Sequence, residues 1–387
     1  MLLVIALCAC TCAQAASDWP EWNSFVARFV QADGRVIDLT FEAKSTSEGQ
    51  SYGLFFALVA NQRTQFDSIL NWTSDNLCAG QLGDRLPAWL WGLRADGSWG
   101  VKDDGPATDA DLWIAYSLLE AARLWNAPGY AETGRKLLDQ IRRQEIVQAG
   151  TAGLVLLPGP IGFELDGDRF RINPSYLPEF MFRYFAAVDP SGPWQAVWNN
   201  YLILVPKAFS ARVAPDLFIV DSQGAVTPDT EREPSGSYDA IRVYLWAGIS
   251  GDSDPILINA LANYAVLIRD RGVPPENVNP LTGVAIVSDY APIGYSGAIL
   301  PYLSALSDTV TLDKQRARVR AASSRAKQGE PTNYYDQILI LFGQGWIDGR
   351  YRFDEQGRLQ PRSARRPSSL AGGATPGAAA HALIAMP

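Results

Sequence analysis

The sequence predicts an all-α protein: six helical hairpins closed into a double ring, an (α/α)6 barrel, with minor β elements. Three observations predict it. Apolar residues recur at helical spacing in twelve segments between residues 19 and 346. No linker divides residues 16–354 and no repeat is visible at the residue level, which leaves an irregular bundle, a helical solenoid or a closed toroid. The acidic groups that look chemical fall at the N-termini of the second, fourth and eighth segments, all even-numbered. In a chain of antiparallel hairpins alternate helices point the same way, so these acids gather at one end of one ring. That selects the toroid.

The helical segments lie near 19–31, 47–61, 63–77, 109–127, 129–148, 177–188, 193–205, 237–249, 254–271, 294–306, 311–328 and 333–346. Tyr52, Phe55, Phe56 and Val59 mark the core face of the second. Short strands are expected within 154–162 and 217–221, where apolar runs end in Pro/Gly or Asp.

The ends of the chain differ in composition. Residues 1–15 are an apolar run closing on Ala13-Gln14-Ala15, an A-x-A pattern, although no basic residue follows Met1. The run is too short to span a bilayer, so it is expected to be a signal peptide cut before Ala16, with a lipoprotein anchor at Cys10 as the alternative. Three of the four cysteines fall there, leaving the mature chain Cys78 alone and no internal disulfide. Residues 355–387 are rich in Pro, Ser, Ala, Gly and Arg and are expected to be a disordered tail after a catalytic domain at 16–354.

Composition removes whole classes of chemistry. A net charge of −8 disfavours nucleic acid as a partner. With His381 the only histidine, a Cys/His zinc site and a His-based triad are disfavoured, and no phosphate or dinucleotide loop is present. Twelve tryptophans fit either an aromatic core or a partner with flat, neutral faces such as a sugar. Carboxylates are the remaining acid–base groups.

Three segments carry them. Glu48 stands in Ser45-Thr-Ser-Glu-Gly-Gln-Ser-Tyr-Gly53, where Ser45 and Glu48 also fit an S-x-x-E capping box. Asp109 and Asp111 follow Thr108, which reads as an N-cap with acids in the first helical turn. Asp239 precedes Arg242 by three residues, the spacing of a helical ion pair. Each segment alone has a purely structural reading. Together they carry more weight.

Glu48-Gly-Gln-Ser-Tyr-Gly53, the run Ala107-Thr-Asp-Ala-Asp-Leu-Trp-Ile-Ala-Tyr116 continuing to Ala121, Asn173-Pro-Ser-Tyr-Leu-Pro178, Ser237-Tyr-Asp-Ala-Ile-Arg-Val-Tyr-Leu-Trp246 and Leu341-Phe-Gly-Gln-Gly-Trp346 resemble glycoside hydrolase family 8, above all its bacterial cellulose-operon endoglucanases. They run in the family's order over nearly all of 19–354. The resemblance implies an (α/α)6 barrel that hydrolyses β-1,4-glucans with inversion, in the periplasm, during cellulose synthesis or export. By motif, Glu48 matches the general acid and Asp239 the general base. Asp109 matches an acid described either as nucleophile or as a group holding the sugar, and the second role suits an inverting reaction. Tyr238 and Arg242 match groups beside the base, and Tyr176 and Tyr335 match cleft residues. Trp91, or Trp89, is the expected stacking platform. Such chemistry needs no cofactor and no metal, with metal binding by the acids a minor alternative. The implied partners are a cellulose chain and a synthase or export complex. The alternatives are xylanase, mixed-linkage glucanase or chitosanase activity, or a non-catalytic glycan-binding scaffold.

Overall fold

Helices of two kinds alternate along the chain, and the difference decides which ring each one joins. In chain order they are α1 (Pro20–Phe29), α2 (Ser47–Val59), α3 (Arg63–Leu77), α4 (Thr108–Leu124), α5 (Pro128–Gln144), α6 (Glu179–Val188), α7 (Trp194–Ala208), α8 (Ala240–Ile249), α9 (Pro255–Ala260), α10 (Ala262–Arg271), α11 (Ile293–Ala298), α12 (Leu300–Ala305), α13 (Thr309–Lys327) and α14 (Tyr334–Ile347). This computed structural model describes residues 17–362, apart from 41, 230, 251–254, 287, 289 and 328–332. The expected signal peptide, Cys10, His381 and most of the expected tail lie outside the described residues.

α1 buries Trp22, Phe25 and Phe29 on one face, and α5 buries Gly134, Leu137, Leu138 and Ile141. Such one-sided helices belong on the outside of a ring. α8, by contrast, is buried along its whole length, α4 from Thr108 to Ala121, and α2 from Gly49 to Val59. A helix buried all round has protein on every side, and these form the inner ring. Each outer helix packs against the inner helices beside it, as α3 does on α2 and α5 on α4, while α2 also packs on α4, α8 on α12 and α11 on α14. The architecture is the expected (α/α)6 barrel.

An aromatic plug fills the axis. The Phe342 ring of α14 meets Phe55 of α2 at 5.6 Å, Trp113 of α4 at 5.3 Å and Trp246 of α8 at 5.2 Å. Each such pair contributes about 0.5–1.5 kcal/mol beyond its buried area, enough for the plug to act as a rigid floor. Next to it, Gly343 of α14 touches α11 backbone to backbone. A Cβ there would stand 1.8 Å from the Gly297 carbonyl oxygen, so any side chain would force the two helices apart.

Four details depart from the sequence reading. The expected 254–271 and 294–306 helices are each broken, at Leu261 and Ile299. Pro301, early in α12, cannot donate to the preceding turn, and the Leu261 carbonyl accepts the Tyr302 hydroxyl at 2.8 Å. Thr46, not Ser45, caps α2, and its Oγ1 accepts the Gly49 N–H at 3.1 Å. Ser45 is engaged elsewhere, donating its hydroxyl to the Val36 carbonyl and accepting from Arg35 Nε, so no capping box forms. Thr108 lies inside α4 rather than at its cap, because its N–H and hydroxyl go to the Pro158 and Leu157 carbonyls.

The last departure concerns the C-terminal boundary. Strand Tyr351–Phe353 pairs with Leu359–Pro361, beyond the expected end of the domain at 354. Leu359 is fully buried and its N–H donates to Glu120 Oε2 at 2.6 Å. Residues 355–362 are therefore part of the packed body. Both expected strand regions hold strands, Leu154–Leu156 and Phe218–Asp221, the second within a four-stranded antiparallel sheet. Cys78 is free and buried, and burial pushes its thiol up to about 12. Among the described residues no helix is long and apolar enough to cross a membrane.

Candidate active site

Three inner helices begin at the same end of the barrel, and each begins with an acid. Glu48 lies in the first turn of α2, Asp109 in the first turn of α4, and Asp239 at the N-cap of α8. Helix N-termini favour negative charge, which makes this end the natural place for a carboxylate cluster.

The surrounding sequence fixes each acid. Glu48 follows a short strand, Ser45–Thr46, that pairs with Trp91 and Leu90, and the Ser47 N–H donates to the Trp89 carbonyl at 3.0 Å. Gly49 leaves room for Tyr334, whose hydroxyl would lie 2.6 Å from a Cβ at that position. Gln50 points the other way. Its Oε1 accepts from Val36 N–H at 2.6 Å and its amide donates to Thr73 Oγ1 at 3.0 Å, tying α2 to α3. Of the Glu48–Gly53 motif, then, only Glu48 faces the cleft chemically.

Arg242 joins the acids. Its Nη1 is 2.6 Å from Glu48 Oε2, and its Nη2 is 2.7 Å from Asp239 Oδ1 and 3.7 Å from Asp109 Oδ2. The anticipated Asp239–Arg242 pair is present, but the arginine does more than close a helical ion pair. Its side chain is 4 % exposed and that of Asp109 5 %, against 21 % for Glu48 and 38 % for Asp239. Glu48 and Asp239 are thus presented to solvent, whereas Arg242 and Asp109 form the floor. The Asn173-Pro-Ser-Tyr turn buttresses the guanidinium: Ser175 Oγ accepts from Nη2 at 3.1 Å and donates to Asn173 Oδ1 at 2.7 Å. The Tyr176 ring lies 5.7 Å from the guanidinium carbon.

Burial and then the Glu48 charge hold the Asp109 carboxyl well above the usual carboxylate range, against the opposing pull of Arg242 and the Ala110 N–H. Asp109 Oδ1 accepts that N–H at 2.8 Å, and its buried Oδ2 has no hydrogen-bond partner. That oxygen faces Arg242 Nη2 at 3.7 Å, which leaves it an acceptor with no donor in hydrogen-bond range.

A cleft of about 320 Å³ opens above, lined by Glu48, Asp239, Arg242, Tyr238, Tyr335 and Trp89 among others. Tyr335 donates to the Tyr238 carbonyl at 2.7 Å and accepts from Arg242 Nη1 at 3.2 Å, and half-exposed Tyr238 donates to Glu276 Oε1 at 2.8 Å. The structure therefore brings Glu48, Asp109, Asp239, Tyr176, Tyr238, Arg242 and Tyr335 to one place. Trp91 is the exception. It stacks on Trp99 at 5.3 Å and lies under the Arg35 guanidinium at 4.3 Å, while Trp89 lines the cleft. A shift of register between Leu90 and Trp91 accounts for this, since an irregularity in a strand re-aims the side chains beyond it. Sequence reasoning missed Tyr334, the neighbour of Tyr335, and Asp216, which has no local motif.

Acids facing one another in a cleft with aromatic walls are the groups that hydrolysis of a glycosidic bond uses. Residues 2–349 match the model of glycosyl hydrolases family 8, and the chain belongs to that family of glycoside hydrolases. It is 45 % identical to an endoglucanase of Xanthomonas axonopodis pv. citri, covering 89 % of each chain. It is 41 % identical to one from Escherichia coli K12, covering 93 % of this chain and 95 % of that one. Among solved structures, an endo-1,4-D-glucanase from Vibrio fischeri ES114 superposes with a TM-score of 0.85 at 38 % identity, over 90 % of this chain and all of the other.

Proposed function

We propose that this chain is an inverting endo-β-1,4-glucanase that cuts cellulose, with Glu48 as general acid and Asp239 as general base. The observation that supports it most is the Arg242 guanidinium holding the two solvent-facing carboxylates on opposite nitrogens. In the reaction, Glu48 gives a proton to the glycosidic oxygen as the C–O bond to the anomeric carbon breaks. Asp239 takes a proton from a water that attacks that carbon from the opposite face. Asp109 holds a hydroxyl of the sugar at the cleavage point, and Arg242 stays charged and keeps both carboxylates aimed. Trp89, partly exposed at the cleft wall, offers an apolar face to a neighbouring sugar.

The names of the relatives favour a β-1,4-glucan over other polymers. The apolar segment ending in Ala13-Gln14-Ala15 supports export, and we place the enzyme in the periplasm, acting on cellulose as it is made or exported. Proton NMR of fresh cello-oligosaccharide hydrolysate tests the stereochemistry. The α-anomer appearing first is the expected result, and the β-anomer first would refute inversion.

A further inference from the structure

Asp239 occupies the N-cap of α8, yet its side chain caps nothing. An aspartate at this position ordinarily turns back to accept from the first free N–H groups of its helix. Here it points to Arg242 instead, and the N–H groups it would ordinarily serve, those of Ile241 and Arg242, donate to the Ser237 and Asp239 carbonyls. The N–H groups just before and at the start of the helix find a different acceptor. Asp216, from the loop ahead of strand Phe218–Asp221, reaches across and its Oδ1 accepts from the N–H groups of Ser237 at 2.8 Å, Asp239 at 3.2 Å and Ala240 at 2.9 Å. Its own N–H donates to the Ser235 carbonyl at 2.7 Å, which anchors the Asp216 backbone to the segment it caps.

We infer that Asp216 is a positioning residue for hydrolysis: by accepting the N–H groups of Ser237, Asp239 and Ala240 on one oxygen, it fixes the backbone from which the Asp239 carboxylate faces the cleft. The inference rests on the reading of Asp239 as the base. A tenfold loss of rate follows readily from a small misplacement of a catalytic group, and a backbone segment held by three hydrogen bonds to one oxygen has little freedom to be misplaced. Asp216 also bears on Asp239 electrostatically. Burial and then the Asp239 charge raise its carboxyl above the usual range. The other titratable groups that feel Asp216 are Tyr244 and Tyr264, and those that share a field with Asp239 are Arg242, Asp109, Tyr176 and Tyr335.

The test compares Asp216→Asn, Asp216→Glu and Asp239→Asn on soluble carboxymethylcellulose. Asp216→Asn keeps an acceptor oxygen but removes the charge. It is expected to fold and to lose about tenfold or more in kcat with KM changed by less than about twofold. If it does not fold, Asp216→Glu, which keeps the charge but displaces the acceptor, is expected to show the same kcat loss with KM little changed. A lowered melting temperature with wild-type kcat and KM would overturn the inference, leaving Asp216 a structural residue only. Asp239→Asn separates this from the underlying reading. If azide, which needs no base, restores turnover to Asp239→Asn while Asp216→Asn behaves as wild type, the base assignment stands and the inference falls. If Asp239→Asn is fully active without azide, both fall.

Discussion

Arg242 Nη1 lies 2.6 Å from Glu48 Oε2 although 194 residues separate the two in sequence, and the same guanidinium reaches Asp239 from its other nitrogen. One cation thus sets the spacing between the two carboxylates that face the cleft. Only a planar, two-pronged cation can do this, because an ammonium is a point charge that cannot address both from fixed directions.

Arg242→Lys is therefore expected to lower kcat on carboxymethylcellulose by about 10²-fold, through misplacement rather than lost charge. Arg242→Ala should in addition destabilise the fold by about 3 kcal/mol or more, since it strands buried Asp109 and part-buried Glu48 without their cation. Denaturant melts and steady-state kinetics on the two variants check both points. A Lys variant with near-normal kcat would contradict them.

A second acid pair lies behind Asp109. Asp111 and Glu145 are wholly buried, and burial and then the Glu145 charge hold the Asp111 carboxyl well above the usual range. Burial raises both, Glu145 to about 8. The unfolded chain gives up the Glu145 proton in the ordinary carboxylate range, near pH 4, whereas the folded chain keeps it to about pH 8. Between those limits the folded state binds more protons, so this pair's contribution to stability is full below the lower limit and falls as pH rises through the upper one. Calorimetric melting temperatures should decline from pH 5 to about 8, and Glu145→Gln, neutral throughout, should flatten the decline. An unchanged slope in that variant would show that the pair is not its source.

Two truncations distinguish the packed C-terminal hairpin from the residues beyond 362. A chain ending at residue 354 loses buried Leu359, its hydrogen bond to Glu120, and the Gly357 carbonyl that accepts from Tyr116 at 2.7 Å. Burying one leucine alone is worth about 1.5–3 kcal/mol, so this chain should melt clearly below the full-length protein. A chain ending at 362 should melt and turn over like the full-length protein. Equal melting temperatures for the two truncations would contradict the packing of Leu359 against the barrel.

Much of the fold and site is readable in the sequence, for identifiable reasons. Helices declare themselves through apolar spacing, and α1 and α5 also through Pro20 and Pro128 at their first turns. The acids are legible because each opens a helix within a local motif. Cap identities are not, since Ser45 and Thr108 are drawn away by carbonyls distant in sequence. Trp89 and Trp91 cannot be told apart without the strand irregularity between them. Asp216 is hidden most fully: it acts 21 to 24 residues downstream through backbone N–H groups, and no side-chain pattern records such a partner. The 355–362 segment reads as tail by composition because its buried residues are Gly357, Leu359 and Pro361, and two of those three are residue types that mark a tail.

Whether Glu48 donates the proton is read most directly from turnover of Glu48→Gln. The substitution keeps shape and removes the acid, so turnover of carboxymethylcellulose should fall by about 10²–10⁴-fold, while cello-oligosaccharide binding measured by calorimetry and the melting temperature stay near wild type. A variant that turns over normally and loses only about 1 kcal/mol of stability, as a helix-terminus residue would, contradicts the assignment.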